Sequence, residues 1–295
     1  MFRFTTIFRI ISIFILVSSG FSRSDSFPVS NGNDDTKWDD LTHWHFRDYH
    51  PFVEGNYGLG IPRQKQFAAD FENYGLLEFK LGYSHNVIYR DFILDMDERY
   101  FFGSFSNQEQ DWLDPEADIE KVQTEMIRFG LGNRLGYGYK LNFLSVLPFQ
   151  QSQFTYTKLS SKRPEALSPN DLGILERYEG SYRFGISTEG GVKIEFFKSL
   201  AFISGFETGV IYPRVVFFRW LGGMLIQSFI VEGISRFAEE IVDHSPALGP
   251  LFSAILRNGA AYGIYLGMRD KMNWPFNSEK PITLETFKAG ISITF

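Results

Sequence analysis

Phe287-Lys288-Ala289-Gly290-Ile291-Ser292-Ile293-Thr294-Phe295 closes the sequence. Odd positions are apolar, even positions are polar or glycine, and the last residue is aromatic. Successive side chains of a strand point to opposite faces, so this stretch makes a strand with one greasy face and one polar face.

Moving inward, the same dyad returns. Ile127, Phe129, Leu131, Leu135, Tyr137, Tyr139, Leu141 and Phe143 share one parity, interrupted by Asn133. Arg128, Gly130, Gly132, Arg134, Gly136, Gly138, Lys140 and Asn142 share the other. Leu77, Phe79, Leu81, Tyr83, Val87 and Tyr89 oppose Glu78, Lys80, Ser84 and Asn86. Tyr182, Phe184 and Ile186 oppose Arg183, Gly185 and Ser187, while Val192, Ile194 and Phe196 oppose Lys193 and Glu195. Between those two runs Glu189-Gly190-Gly191 reads as a tight hairpin turn. Tyr262, Ile264, Leu266 and Met268 alternate with Gly263, Gly267 and Arg269. An apolar face outward and a polar face inward is the pattern of a barrel in lipid.

Composition agrees. The chain has 295 residues, 32 of them Phe, and 17% are aromatic, yet only 44% are hydrophobic. A helical membrane protein would be more apolar than a mean hydropathy of -0.14. Cysteine is absent, which excludes disulfides, cysteine-ligated metal and a lipidated cysteine. A net charge of -6 speaks against nucleic acid, which needs a basic surface.

The terminal strand resembles the C-terminal β-signal of bacterial outer-membrane β-barrels. That pattern takes a polar residue, a glycine two later, and hydrophobic residues three and five beyond the glycine. Lys288, Gly290, Ile293 and Phe295 match it. The resemblance implies an all-β, antiparallel transmembrane barrel in the outer membrane of a diderm bacterium. It also implies contact with outer-membrane lipids and recognition by the barrel assembly machinery. It names no subfamily and leaves the oligomeric state open.

The start of the chain fits that destination. Arg3 and Arg9 precede an apolar run from Ile10 to Val17, broken by Ser12, and small residues follow at Ser18, Gly20 and Ser22. This predicts a signal peptide over 1–22, since the run falls short of the ~20 residues that span a bilayer. Residues 23–52 read as a polar periplasmic segment and 53–295 as the barrel. Strand candidates fall near 53–62, 74–89, 99–106, 122–132, 135–147, 176–188, 191–199, 201–217, 259–270 and 284–295. That makes about ten, within an even-numbered range of 8 to 12.

Three stretches interrupt the pattern. Asp91 to Glu120 carries ten acidic residues against one basic, Arg99, and reads as an acidic loop. Gln150 to Leu175, rich in Ser, Pro and Lys, reads as another. Arg219 to Leu256 reads as a helical insert with a broad apolar face, and its uncharged core is too short to span. It would lie in the membrane interface or on the barrel rim. The sharper alternative is a plug or lid over a pore, and a third is a misread strand pair.

Chemistry is sparse. His43, His45 and His50 are candidate metal ligands beside carboxylates, but nothing fixes a third ligand; a polar periplasmic segment is the plainer reading. A serine hydrolase would draw on Ser84 with His85 or on His244 with Ser245; Ser84 and His85, as neighbours in a strand, would point to opposite faces and not pair directly. The Asn-His-x-Ser-Asn pattern of outer-membrane phospholipases and the His-x-Ser pattern of lipid A deacylases are missing. No catalytic residue and no cofactor is assigned. The alternating glycines Gly130 to Gly138 would let a strand curve or a neighbour pack close. Lumen-facing candidates are Arg128, Arg134, Lys140, Arg183, Lys193 and Arg269 against Glu78 and Glu195, a basic tilt that would favour anionic solutes or be consumed in salt bridges. The first function that follows is a small channel or binding barrel for a small or lipidic solute; the alternative is a structural or surface-interaction, adhesin-like barrel, and a lipid-modifying enzyme of the outer membrane ranks third.

Overall fold

A computed structural model describes residues 49–90, 92–111, 120–197 and 199–295. The expected signal peptide, His43 and His45 lie outside the described residues.

The alternating runs become eight antiparallel strands, each bonded to its sequence neighbours and the last to the first. They are β1 (His50–Arg63), β2 (Tyr74–Arg90), β3 (Ile93–Asn107), β4 (Gln123–Leu141), β5 (Leu144–Lys162), β6 (Arg183–Phe196), β7 (Leu200–Ile211) and β8 (Ile282–Thr294). Starting from Val53, direct partners run through Leu81, Phe101, Leu131, Phe154, Ile186, Val210 and Thr283 to Arg63. The circuit returns to β1 displaced by 63 − 53 = 10 residues. An eight-stranded barrel is just wide enough for its own side chains to fill it.

Strand number and boundaries differ from the sequence reading. The candidates at 122–132 and 135–147 are one strand, β4, continued by β5, which occupies much of the expected loop from Gln150 to Leu175. The two runs around Glu189-Gly190-Gly191 are also one strand, because all three residues pair with β5 and β7 in the middle of β6. Much of the expected acidic loop is β3. The candidate at 259–270 is helical.

Three helices complete the described chain: α1 (Pro169–Glu176), α2 (Phe217–His244) and α3 (Gly249–Asp270). The short connections β2–β3, β4–β5 and β6–β7 lie at one end, where β1 begins and β8 ends. The other connections are longer and gather at the opposite, loop end. The last of them carries α2 and α3, an antiparallel hairpin whose helices are about 42 and 33 Å long at 1.5 Å per residue.

This hairpin lies against the outside of the barrel. Phe184, Ile186 and Val210 have the outward parity of β6 and β7, and they cluster with Tyr265 and Met268 of α3. Asn258 Nδ2 donates to the carbonyl of Phe149 at 3.0 Å. Gly190 faces this contact; an added Cβ would lie 2.5 Å from Asn258 Oδ1, so a side chain there would hold the helix off. At the turn end Val242 packs on Ile93 and Tyr137, and Tyr139 donates to the carbonyl of Ala247 at 2.9 Å. The hairpin therefore runs from the loop end to the turn end along the outer wall, where the sequence analysis expected an interfacial or rim helix.

Candidate functional site

The barrel interior is where the charged side chains meet. Lys80, Arg128, Arg134, Lys193 and Lys288 are buried there with Glu54, Glu78, Glu98, Glu189, Glu195 and Glu207. Arg134 is the most heavily used. Its guanidinium donates to Glu54 Oε1 and Oε2 at 2.8 Å each, to Glu98 Oε2 at 2.7 Å, and to Gln151 at 3.1 Å. It also lies over the Phe149 ring, 4.7 Å from the centroid. Lys80 reaches Glu54 at 2.9 Å and Glu78 at 3.2 Å. Lys193 joins Glu98 at 2.6 Å to Glu195 at 2.7 Å. Lys288 gathers Glu78 at 3.0 Å with Glu189 and Glu207 at 2.6 Å each, and Glu207 returns to Arg128 at 2.5 Å. Gln151 bridges Lys80, Arg134 and Glu189. Burying a charge is costly unless it is paired and hydrogen-bonded, so this density of pairing is what lets an eight-stranded barrel hold eleven charges.

Apolar side chains pack beside the charges near the turn end, where Lys193 pairs with Leu147 and Ile203, and in a layer above them at the loop end. Towards the turn end, Leu94, Met96, Leu147, Phe149 and Ile203 pack together. Towards the loop end, Tyr74, Leu76, Met126, Leu159, Ile211 and Leu284 pack under Ile174 and Tyr178 from the β5–β6 connection. Tyr178 accepts from the Ile282 N–H at 3.1 Å, and burial pushes its phenol above the usual tyrosine range, so the hydroxyl stays protonated. A second apolar layer, Phe71, Val122 and Leu175, closes over this one.

The sequence candidates fall in different places. Arg128, Arg134, Lys193, Glu78 and Glu195 are brought together inside. Lys140 and Arg183 keep the inward parity of β4 and β6 but stand at the strand ends, half-buried. Arg269 does not face the interior: it belongs to α3, and its guanidinium lies 4.0 Å from Glu285 on the outer wall. The basic tilt is also overturned, because Glu54, Glu98, Glu189 and Glu207 point inward as well. Parity within β1 and β7 could have revealed Glu54 and Glu207. Glu98 was hidden by the acidic composition around it and Glu189 by the glycines after it.

The residues of the terminal motif divide by face. Lys288 points into the network. Gly290 faces Asn56, whose Oδ1 would lie 2.0 Å from an added Cβ. Ile293 and Phe295 are exposed on the outer face. The glycines of β4 leave room for rings: Tyr100 lies against Gly132 and Phe102 against Gly130.

Among the described residues the serine–histidine candidates do not assemble. Ser84 donates to Glu98 at 3.1 Å inside the barrel, while His85 stacks on Tyr49 outside. His244 ends α2 against the carbonyl of Glu240 at 2.9 Å. His50 is exposed at the start of β1, and among the described residues no group of three metal-ligating side chains forms.

No model of a known protein family matches the chain, and no curated protein matches it in sequence. Several solved structures are similar. Neisserial surface protein A is 8% identical, with 83% of this chain and 97% of that one covered and a TM-score of 0.38. Ail, the attachment invasion locus protein of Yersinia pestis, is 7% identical, covering 84% and 99%, at 0.33. The outer membrane protein OprG from Pseudomonas aeruginosa is 8% identical, covering 83% and 95%, at 0.28.

Proposed function

We propose that this chain spans the outer membrane of a diderm bacterium as a side-chain-filled barrel and acts through its outer surface, as a structural or surface-interaction protein. The observation that carries this is the interior: paired charges fill it, and an apolar layer crosses it at the loop end. A channel or a solute-binding barrel needs a continuous polar path or an internal cavity, and an interior filled with paired charges under that layer argues against either.

The outer wall supports the membrane reading. Leu77, Phe79, Leu81, Phe101, Ile127, Phe129, Leu131, Phe202, Phe206, Phe287 and Ile291 are exposed with outward parity. In water such a wall would be a large unpartnered apolar surface; in lipid it is the expected outward band, about 25 Å tall. Short turns and both strand termini at one end would place that end in the periplasm and the longer loops outside. No described helix is long and apolar enough to cross a membrane; in this reading the strands would do the spanning.

Conductance across planar bilayers tests the functional part. The refolded protein is expected to give no stepwise openings at any voltage. Reproducible unit openings abolished by a mutation in the Arg134 network would overturn the reading and restore the channel.

A further inference from the structure

We propose that a cleft at the loop end binds a phosphate group, carried by a lipid headgroup or free in solution. The cleft holds about 480 Å³ between α1, the start of α2 and residues 271–281. Arg177, Arg214, Arg219 and Lys280 line it, and Glu279 is the one carboxylate among its lining residues. Arg214 is paired with Glu279 at 2.6 Å. Arg219 gives one N–H to the carbonyl of Asn277 at 3.2 Å, and Arg177 gives Nε–H to the carbonyl of Gly173 at 3.2 Å. Each guanidinium carries five N–H donors, so most of this donor capacity is directed elsewhere than to carboxylates.

The backbone adds to the charge. Val216, in the cleft wall, is the N-cap of α2; no side chain caps it, and no acidic residue stands in the first turn. A 28-residue helix thus turns its positive end and uncapped N–H groups towards four cations. That arrangement favours an anion. Asn273 in the wall is 3% exposed. Charge-assisted bonds from guanidinium groups and helix N–H donors are the usual means of holding a phosphate.

The surroundings favour a lipid source, and that part rests on the membrane reading above. Phe217 and Phe218 open α2 beside the cleft, and Phe276 lies on its far side; all three are exposed. An amphiphile would place its phosphate among the arginines and its chains along these rings.

The test uses the full-length protein refolded in neutral detergent micelles. Tryptophan fluorescence follows titration with phosphatidic acid, phosphatidylcholine or inorganic phosphate. Trp220 and Trp274 flank the cleft and should report. Saturable binding of phosphatidic acid is expected, with phosphatidylcholine inert. The double variant R177Q/R219Q should weaken it by roughly tenfold or more, as befits loss of two charge-assisted contacts. K158Q, which removes an exposed cation of β5 away from the cleft, should change nothing. Should the double variant fold poorly, R177Q alone carries the comparison, because that side chain is exposed. Equal affinity for inorganic phosphate would support the site and assign it to a free anion. Equal binding of both lipids, or binding unaffected by the arginine variants, would overturn the proposal. Failure of the wild type to show a heat-modifiable band would instead refute the membrane barrel, and the inorganic phosphate arm would still decide the cleft.

Discussion

Replacing Lys288 with Met should show how much the interior network contributes. The two side chains are similar in size, so the change removes charge with little change in packing. Lys288 Nζ sits 2.6 to 3.0 Å from Glu78, Glu189 and Glu207. Glu207 would keep Arg128, and Glu78 would keep Lys80. Glu189 would keep only a hydrogen bond from Gln151 at 2.8 Å. Removing one partner of a buried pair costs about 3–5 kcal/mol, because the other charge stays buried without compensation. That is a large share of an ordinary protein's stability of roughly 5–15 kcal/mol. Urea unfolding of the refolded barrel in lipid vesicles, followed by tryptophan fluorescence and gel mobility, would measure it. A second substitution, Glu189→Gln, removes the stranded charge, so K288M/E189Q should recover at least ~1 kcal/mol relative to K288M. If K288M unfolds within about 1 kcal/mol of the wild type, the network does not hold the barrel as argued.

Other outcomes follow from the outer wall and the terminus. Gly190→Leu should push α3 away from β5 and β6 and cost about 1–3 kcal/mol through overpacking; limited proteolysis around residues 245–249 should then speed up, and an unchanged cleavage rate would speak against the docked hairpin. Tyr265→Phe removes the hydroxyl that donates to Glu285 at 2.9 Å, with an expected loss of about 1–3 kcal/mol in the same unfolding assay. Excising residues 217–270 with a short linker should lower the yield of heat-modifiable barrel, because Thr188, Thr208 and Glu285 would face lipid, and should open no conductance. Deleting Phe295, whose N–H donates to the Pro51 carbonyl at 2.9 Å, should slow assembly in cells; normal assembly would make the terminal motif coincidental.

Barrel class was legible because β2 from Leu77 to Tyr83, β4 from Ile127 to Leu131, and β8 from Phe287 to Ile293 alternate cleanly, with their large outward side chains exposed. The misreadings cluster where that condition fails. In β5, Gln151, Gln153, Thr155 and Thr157 point inward, and Pro148, Gln150 and Ser152 point outward around the place where α3 docks. With polar residues on both faces the period disappears, and the strand looks like a loop. In β3, Asp95 and Asp97 take the outward positions next to inward Leu94, Met96 and Glu98, so acidic content masked the strand. The run from Tyr262 to Met268 shows the converse error. Ala261, Tyr265 and Met268 are buried, and Tyr262 and Leu266 are exposed, at helical spacing. An apolar helix with one face on protein and the other open can imitate a strand over a few residues. The interior network was only partly legible, since pairing across the barrel joins residues such as Glu54 and Arg134, 80 positions apart. The loop-end cleft gave no local signal, because its four cations come from three stretches of chain, around 177, 214–219 and 280.

The central claim is a lipid-embedded wall with a helix docked on part of it, around a filled interior. Single cysteines can test it directly, since the chain has none of its own. Spin labels placed in turn at residues 77 to 83 and at Val210 would be measured in vesicles for collisions with oxygen, which enters lipid, and with a water-soluble nickel chelate. The account predicts oxygen access at 77, 79, 81 and 83, little access to either reagent at 78 and 80, and little oxygen access at Val210 beneath α3. Nickel access at 77 to 83 without alternation would contradict it.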